Sequence, residues 1–261
     1  MTALPFELFV RIPELTADDG EWRLMAREWT GCLRLGVGDH SYVGKSLPPE
    51  GRRWWAEPYR LTKDFVMAVP RALSAALELE RPVFMGSSVG GQLAVDLAYH
   101  FPDEFRAVIA LEASLKQPEF FDPATFWNPH VPAEYKAAFN FGLTAPTAPE
   151  ALRRETWFLY CAGAPFTFAG DLNYWMVEHD LTGKAHEIDT SRCAVHLLTG
   201  EYDSATPPEM SRALAEQIEG ATIQVMEGLG HFPMCEDPER FLAYIRPILA
   251  HIASSASTLQ T

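Results

Sequence analysis

A strand, a tight turn and a helix are predicted in succession at residues 81–101, and this stretch constrains the fold more than any other part of the chain. Its first part is a short apolar run, Pro82 to Met85, which predicts a strand. The turn that follows reads G-S-S-V-G and matches G-x-S-x-G, a pattern that holds its middle residue, Ser88, on a strained corner. Four apolar residues then recur at the spacing of one helix face: Leu93, Ala94, Leu97 and Ala98.

The serine at the centre of this turn has two interpretations. Glycines two residues before and two residues after Ser88 keep side chains out of the place where the strand and the helix cross. This arrangement makes Ser88 a candidate nucleophile. The alternative is an ordinary glycine-rich turn that binds a phosphate group at the N-terminus of the helix.

The rest of the chain alternates between apolar strands and helices. The run Phe105 to Ala113 predicts a strand that is buried on both faces. Two later runs predict further strands of the sheet: Ala194 to Thr199 and Ala221 to Met226. Two earlier runs, Glu7 to Arg11 and Cys32 to Gly38, predict strands near the N-terminus. Alternation of this kind predicts an α/β fold in which a mostly parallel sheet is flanked by helices.

An aromatic-rich segment at residues 115–189 interrupts the alternating pattern. Its prolines and short helical spacings predict several short helices, and we expect an inserted helical cap. The α/β core then spans residues 1–114 and 190–254, and residues 255–261 are expected to form a flexible tail. Six aromatic residues of the cap are candidates for lining a substrate pocket, with simple core packing as the alternative: Trp127, Phe139, Trp157, Phe158, Tyr174 and Trp175.

Two ionisable residues follow predicted strands by a few positions and are candidate partners for the serine. A hydroxyl needs a base that accepts its proton, and the base needs a group that orients it. Because the carboxyl ends of parallel strands lie at one edge of a sheet, we expect Asp203 and His231 near Ser88. The alternatives are a turn carboxylate that caps the next helix at Asp203 and a surface loop histidine at His231. Asp237 is a weaker candidate for the acid, because it is predicted to begin a helix.

Three stretches carry a resemblance to a known family: V-F-M-G-S-S-V-G-G, L-L-T-G-E-Y-D-S-A-T-P-P and M-E-G-L-G-H-F-P-M-C-E-D-P. In these stretches, within residues 81–113 and 193–252, the chain resembles the α/β-hydrolase fold superfamily. It is similar to the cap-bearing esterases, lactonases and carbon–carbon bond hydrolases of that superfamily. The resemblance implies that Ser88 is the nucleophile, Asp203 the acid and His231 the base, in the chain order expected for this fold.

The loop that would complete an oxyanion hole departs from the pattern of that family. The family carries a His-Gly pair whose following backbone N–H helps to bind the oxyanion, whereas residues 11–15 here read R-I-P-E-L. In one alignment the donor would be Pro13, which has no N–H. In the other alignment Leu15 donates, and in both Val89 supplies the second N–H. Loss of one donor costs on the order of a hundredfold to a thousandfold in turnover, so a weak enzyme is one expectation.

The family also places two further strands before the first strand predicted here. With only the residues before Glu7 available for them, we expect the strand at Cys32 to Gly38 to have an open edge. An unpaired strand edge is a template for pairing with another chain. We therefore expect either self-association as a homodimer through this edge or a fold of low stability.

Charge and cysteine content restrict the partners and the compartment. The chain has 21 Lys and Arg against 35 Asp and Glu, a net charge of -14. This charge disfavours nucleic acids and anionic membranes as partners, because both are negatively charged. The four cysteines show neither a C-x-x-C pair nor a zinc spacing, and no segment is typical of a signal peptide or a membrane span. We expect a cytoplasmic protein with free thiols that uses no metal and no organic cofactor.

These observations predict a serine hydrolase that acts on a small, uncharged substrate. We expect it to cleave an ester or a lactone with an apolar or aromatic acyl group, through an acyl-enzyme on Ser88. One alternative keeps the same residues but cleaves a carbon–carbon bond of a diketone or dienone. A second alternative is a ligand-binding protein on a hydrolase fold, with weak or no catalysis.

Overall fold

The structure is a computed structural model that describes residues 60–76, 79–118, 133–161 and 172–257. The strands predicted at Glu7 to Arg11 and at Cys32 to Gly38 lie outside the described residues, and so do Leu15 and Trp127. The open strand edge and the self-association therefore stay predictions.

Four parallel strands form one sheet in the described part of the chain. The order across the sheet follows the chain: β1 (Val83–Ser87), β2 (Ala107–Leu111), β3 (Ala194–Gly200) and β4 (Thr222–Met226). The α/β class and the parallel sheet are thus confirmed. In the observed register Ser87 pairs with Leu111, and Leu111 pairs with Leu198. The segments that follow the strands consequently leave the sheet at one edge.

Helices connect the strands and cover the sheet. In chain order they are α1 (Lys63–Ala76), α2 (Val89–His100), α3 (Ala133–Gly142), α4 (Glu150–Cys161), α5 (Pro208–Ala215), α6 (Pro233–Glu236) and α7 (Pro238–Ser257). A π-helix (Asn173–Glu178) and a 3-10 helix (Ala185–Glu187) lie between α4 and β3. Helices α5, α6 and α7 each begin with a proline, whose fixed φ suits the first helical turn.

Helix α7 extends into the segment where a flexible tail is predicted from residue 255. Ile245, Ile248 and Ile252 lie on one side of the helix and are buried in the core. The hydroxyl groups of Ser254 and Ser255 both donate to the carbonyl oxygen of His251, at 2.8 and 3.0 Å. Apolar burial along one face and these side-chain bonds carry the helix to Ser257.

The core has two clusters, one on each face of the sheet. Along β2, Val108 and Ala110 belong to the first cluster, whereas Ala107, Ile109 and Leu111 belong to the second. Successive residues of a strand point to opposite faces, so this division shows that β2 is covered on both sides. All five residues of β2 are buried, as its continuous apolar sequence predicts.

The segment predicted as a cap is closed at its base by contacts between its two ends. Lys116 and Asp180 form an isolated antiparallel bridge, and the Lys116 Nζ lies 2.8 Å from the Asp180 carboxylate. The backbone N–H of Leu181 donates to the carbonyl oxygen of Leu115 at 2.9 Å. From Leu181 onward the chain packs in the first core cluster, before the predicted end of the cap at residue 189. Within the insertion, α3 and α4 pack against each other.

Two further observations concern thiols and membrane spans. Among the described residues, Cys161, Cys193 and Cys235 are thiols that form no disulfide bond. Within residues 60–257, among those that the structure describes, no helix combines the length and the apolar character that a membrane crossing requires.

Substitution of Gly86 by Ala is expected to destabilise the fold, whereas substitution of Gly90 is not. A Cβ at Gly86 would lie 2.2 Å from the carbonyl oxygen of Gly90, while a Cβ at Gly90 meets no described atom within 4 Å. We expect Gly86→Ala to lower the free energy of unfolding by about 3 kcal/mol. We expect Gly90→Ala, the matched control in the first turn of α2, to change it by less than about 1 kcal/mol. Urea unfolding followed by circular dichroism measures both, and equal stabilities would contradict the packing argument.

Candidate active site

Ser88 lies at the corner between β1 and α2, in a backbone conformation that non-glycine residues rarely adopt. Its φ is 57° and its ψ is -112°. The Ser88 N–H donates to the carbonyl oxygen of Leu111 at 2.9 Å, and the Ser88 carbonyl accepts from the N–H of Gln92 at 3.0 Å. Strained backbone of this kind costs on the order of 1–3 kcal/mol and persists only where the surrounding structure holds it.

Glycines allow the close approach that this corner needs, although not at the positions that the motif alone suggests. A Cβ at Gly86 would collide with the backbone of Gly90, and a Cβ at Gly91 would lie 2.0 Å from the carbonyl oxygen of Leu111. The absence of a side chain is thus required at Gly86 and Gly91. At Gly90 the described structure leaves space for a Cβ.

Asp203 follows β3 and is held by the turn in which it lies. Its Oδ1 accepts from the backbone N–H groups of Ala205 and Thr206, at 2.8 and 3.0 Å. Its Oδ2 lies 2.8 Å from Nδ1 of His231. The two interpretations of Asp203 are therefore compatible, because one carboxylate oxygen binds the turn while the other contacts the histidine. Asp237, the weaker candidate, instead accepts from the N–H of Arg240 in the first turn of α7.

His231 follows β4 and joins the other two side chains. Its Nε2 lies 2.9 Å from Oγ of Ser88, and its ring is almost completely buried. The ring also packs edge to face against Phe232, with the centroids 4.9 Å apart. The structure thus brings together the three residues that the sequence singles out as nucleophile, acid and base.

The hydrogen-bond partners determine how the three groups are oriented. The carboxylate of Asp203 accepts, so Nδ1 of His231 carries the proton and donates to it. The lone pair of Nε2 then faces the hydroxyl of Ser88, which donates. A neutral imidazole in this tautomer can accept the serine proton, and the neighbouring carboxylate stabilises the cation that forms. Burial strengthens these interactions, because less water screens the charges.

Of the two predicted oxyanion donors, the structure describes one. The Val89 N–H belongs to the first residue of α2, where the helix itself offers no acceptor. This leaves the group available to an oxygen atom bound at Ser88. Leu15 lies outside the described residues, so its N–H stays a prediction.

The aromatic residues predicted to line a pocket divide by burial. Trp127 lies outside the described residues. Phe139 and Trp157 are half-buried, and Phe139 packs against the second core cluster. Phe158 is 66% exposed on α4, so its ring faces solvent in this structure. Among these residues, Phe139 lies at the border of the second core cluster.

The π-helix carries the last two predicted pocket residues, Tyr174 and Trp175, and both are fixed by polar contacts with α2. The hydroxyl of Tyr174 donates to Oδ2 of Asp96 at 2.6 Å, within the first core cluster. With the Gln92 amide oriented to match its partners, it donates to the Trp175 carbonyl at 3.0 Å and accepts from the indole Nε1 at 3.2 Å. Tyr174 thus has the environment of a core residue.

Asp96 is the centre of a buried polar network that fastens the insertion to α2. Its Oδ2 contacts Nδ1 of His179 at 2.9 Å, and its Oδ1 lies 2.9 Å from Nζ of Lys63. His179 is fully buried, and its Nε2 lies 2.9 Å from the carbonyl oxygen of Ser114. The hydrogen bonds and charges of His179, Lys63 and Tyr174 outweigh burial and lower the pKa of Asp96.

Glu112 is a second buried carboxyl group at the edge of the sheet where Ser88 and Asp203 lie. It directly follows β2 and has a positive φ of 53°. Its Oε1 accepts from the N–H of Gly200 at 3.2 Å, and its Oε2 has no hydrogen-bond partner among the described residues. Burial first, and then the negative charges of Asp203 and Glu236, raise the pKa of Glu112 well above 4.5. Burial and the neighbouring charges thus both favour the protonated form of this side chain.

Sequence reasoning missed Gln92, Asp96, Glu112 and Glu236. Gln92 and Asp96 follow Ser88 at intervals of four, which places all three on one face of α2 and is a signal that the sequence contains. Glu112 directly follows an apolar strand, as Ser88 does, and this position is also a signal that the sequence contains. The burial of Glu236 follows from contacts with a segment distant in sequence and has no local signal.

A parallel sheet that delivers a serine, an aspartate and a histidine to one edge, in that chain order, defines the class of α/β hydrolases. The sequence matches the Alpha/beta hydrolase family over residues 9–244. The chain belongs to this family.

Individual relatives are similar over most of the chain. The 2-hydroxy-6-oxo-2,4-heptadienoate hydrolase of Pseudomonas putida is 23% identical over 237 residues, which cover 88% of this chain and 83% of that protein. A thermophilic esterase from Thermogutta terrifontis has a similar fold, with a TM-score of 0.68 and 21% identity over 87% of this chain and 86% of that one. The enol-lactonase from Burkholderia xenovorans has a TM-score of 0.61 and 20% identity, over 76% and 75% of the two chains.

Replacement of Glu112 by Gln is expected to stabilise the protein increasingly as the pH rises. Below pH 4.5 the carboxyl group is protonated in both the folded and the unfolded chain, so its titration has no effect on stability. Above this pH the unfolded chain releases the proton while the folded protein retains it, which favours unfolding of the wild type by up to about 1.4 kcal/mol per pH unit. Glutamine keeps the contact with Gly200 and does not titrate.

Urea unfolding between pH 4 and pH 8 measures this difference between variant and wild type. Glu219→Gln, an exposed position, is the matched control for loss of one acidic side chain. A difference that stays constant with pH for Glu112→Gln would show that Glu112 does not retain a proton in the folded protein.

Proposed function

We propose that this chain is a serine hydrolase that cleaves an ester or a lactone through an acyl-enzyme on Ser88. The observation that carries the proposal is the position of His231 between two partners. Its Nε2 lies 2.9 Å from Ser88 Oγ and its Nδ1 lies 2.8 Å from Asp203 Oδ2. Both distances are those of hydrogen bonds, so proton transfer needs no rearrangement of the three side chains.

In the first half of the reaction the Ser88 oxygen attacks the carbonyl carbon of the substrate. A bond forms between Oγ and this carbon, the hydroxyl proton passes to Nε2 of His231, and the carbonyl electrons move to the oxygen. The negative Asp203 stabilises the imidazolium. When the intermediate collapses, the bond to the leaving oxygen breaks and Nε2 returns the proton to that oxygen.

In the second half water replaces the leaving group. His231 accepts a proton from the water as its oxygen attacks the acyl carbon, and then returns this proton to Ser88 Oγ as the ester bond to the enzyme breaks. The products are a carboxylic acid and the free enzyme. One histidine therefore serves as base and acid in turn.

The negative oxygen of each intermediate requires hydrogen-bond donors. We assign one donor to the N–H of Val89, because it follows the nucleophile and begins α2. The second donor in this proposal is the N–H of Leu15. The positive end of the α2 dipole adds favourable charge at the same place.

An apolar or aromatic acyl group suits the surroundings of the site. Phe232 packs against the ring of His231, and Tyr160 contacts Phe232 with the ring centroids 5.6 Å apart. Val89 and Phe139 border the same core cluster. Aromatic and aliphatic surfaces favour an uncharged acyl chain, and the net charge of -14 disfavours an anionic one. The similarity to an esterase and to an enol-lactonase supports the same reaction class.

Carbon–carbon bond hydrolysis is the second candidate, and one specific observation favours it. The relative that is named as a 2-hydroxy-6-oxo-2,4-heptadienoate hydrolase aligns over 88% of this chain. A serine, a histidine and an oxyanion site also serve hydrolysis of a carbon–carbon bond next to a ketone. The two reactions differ in the atom that leaves, which is carbon in one case and oxygen in the other.

Labelling with a fluorophosphonate probe is expected to modify Ser88 alone. Intact-mass analysis of the wild type should show addition of a single probe, and Ser88→Ala should show none. Ser87→Ala is the matched control, because Ser87 is the neighbouring serine of the same motif. With nitrophenyl esters of short acyl chains, we expect Ser88→Ala to lower kcat/KM by about 10⁴-fold or more.

Product analysis separates the three candidate functions. Each of a nitrophenyl ester, an aromatic lactone and a ring-opened oxo-dienoate is incubated with wild type and with Ser88→Ala, and the products are identified by mass spectrometry. Serine-dependent cleavage of the dienoate alone would replace the ester proposal with carbon–carbon hydrolysis. A folded wild type that neither reacts with the probe nor turns over any substrate would favour the ligand-binding protein.

A further inference from the structure

Glu236, at the end of the short helix α6, is buried beside the loop that carries His231. Its carboxylate is completely inaccessible to solvent. Oε2 accepts from the N–H of Gly230 at 2.6 Å, and Oε1 accepts from the N–H of Phe232 at 2.9 Å. Glu236 thus binds the backbone on both sides of the candidate base.

The same carboxylate also reaches the inserted segment. Its Oε2 accepts from the N–H of Ala145 at 3.0 Å. Two residues earlier, the carbonyl oxygen of Leu143 accepts from the N–H of His231 at 3.1 Å. The three successive N–H groups of residues 230–232 are therefore all bound, either by Glu236 or by the segment that follows α3.

The loop that carries His231 is closely packed at Gly230. A Cβ added at Gly230 would lie 2.5 Å from the nitrogen of Ala145, 2.8 Å from the oxygen of Leu143 and 3.0 Å from Oε1 of Glu236. On the opposite side, a Cβ at Gly200 would lie 2.2 Å from the carbonyl oxygen of Gly230. The loop is enclosed between the end of β3 and the inserted segment.

Opposing effects act on the pKa of Glu236. Burial raises the pKa of Glu236, whereas the backbone N–H groups of Phe232, Ala145 and Gly230 oppose the rise, as does the ring of His231. Three N–H donors favour the ionised form, which accepts at both oxygens.

We propose that Glu236 is a positioning residue for His231, and that it ties the base to the cap through Ala145. The proposal rests on the serine-hydrolase function proposed above. Asp203 orients the imidazole from its Nδ1 side, whereas Glu236 fixes the backbone from which the ring projects. A displacement of the reacting groups by about 1 Å costs on the order of a hundredfold in rate. Loss of Glu236 should therefore lower the rate of the chemical steps more than it weakens substrate binding.

The test compares Glu236→Gln with wild type and with Glu239→Gln, an exposed control at the start of α7. Glutamine retains one carbonyl acceptor but directs an NH₂ group towards backbone N–H donors and removes the charge. We expect the fluorophosphonate labelling rate and kcat on a nitrophenyl ester to fall together by about 10- to 100-fold, with KM changed by less than about threefold. The control should match the wild type in all three quantities.

The outcomes separate this proposal from the function on which it rests. No labelling of the wild type would refute the serine hydrolase itself. A wild type that is labelled, together with Glu236→Gln that is labelled at the same rate or differs only in KM, would refute the positioning role. The variant Glu236→Asp keeps the charge but has a shorter side chain. If it recovers more than half of the rate that Glu236→Gln loses, the charge matters more than the reach to all three N–H donors, and the link to the cap is overturned.

Hydrogen exchange of the wild type decides the question if Glu236→Gln does not fold. Because one carboxylate holds Ala145, Gly230 and Phe232, we expect their three amides to exchange with protection factors within about threefold of each other. Exchange of Ala145 that is faster than that of the other two by about tenfold or more would mean that the cap segment opens independently of the His231 loop, and the proposal would fail.

Discussion

The close crossing of β1, α2 and the end of β2 is the constraint on which the active-site geometry depends. Ser88 can hold its positive φ only because Gly86 and Gly91 let backbone atoms of Gly90 and Leu111 approach to distances that any Cβ would forbid. The hydrogen bond from Ser88 N–H to Leu111 then fixes the corner. A similar contact between Gly200 and Gly230 brings the ends of β3 and β4 together. Both crossings are made by backbone atoms, so the distances between Ser88, Asp203 and His231 follow from the sheet itself.

Three carboxyl groups are buried around this edge of the sheet, and they differ in the donors that compensate each of them. Glu112 accepts from one backbone N–H, and its pKa lies well above its usual value. Asp203 accepts two N–H groups from its own turn and one from the imidazole. Glu236 accepts three N–H groups from two segments. Burial raises the pKa of Glu112 and of Glu236, and at Glu236 three backbone N–H groups oppose that rise.

Local patterns in the sequence predicted the four described strands, the corner at Ser88 and the three residues that meet there, because each of these follows from spacing within a few residues. The strand β2 was readable from its unbroken apolar run, and Asp203 and His231 from their place after strands. The polar network of Asp96, His179 and Lys63 was not readable, since its members are separated by long stretches of chain and meet only after folding. The aromatic residue Tyr174 illustrates the same limit. Its aromatic ring led to the prediction of a pocket residue, but its hydroxyl group donates a hydrogen bond to Asp96 in the core.

The bridge between Lys116 and Asp180 has a consequence for how such a protein can diversify. Lys116 pairs with Asp180, and the N–H of Leu181 donates to the carbonyl oxygen of Leu115, so the intervening chain leaves and returns at one place beside the sheet. The sheet would then be a constant frame for different segments between Lys116 and Asp180, provided that the contacts of Tyr174 and His179 with Asp96 are kept. An exchanged segment would also need the contacts that residues 143–145 make with the His231 loop. A grafted segment that keeps these contacts would keep both the sheet and the position of His231, whereas a segment without them would keep only the sheet.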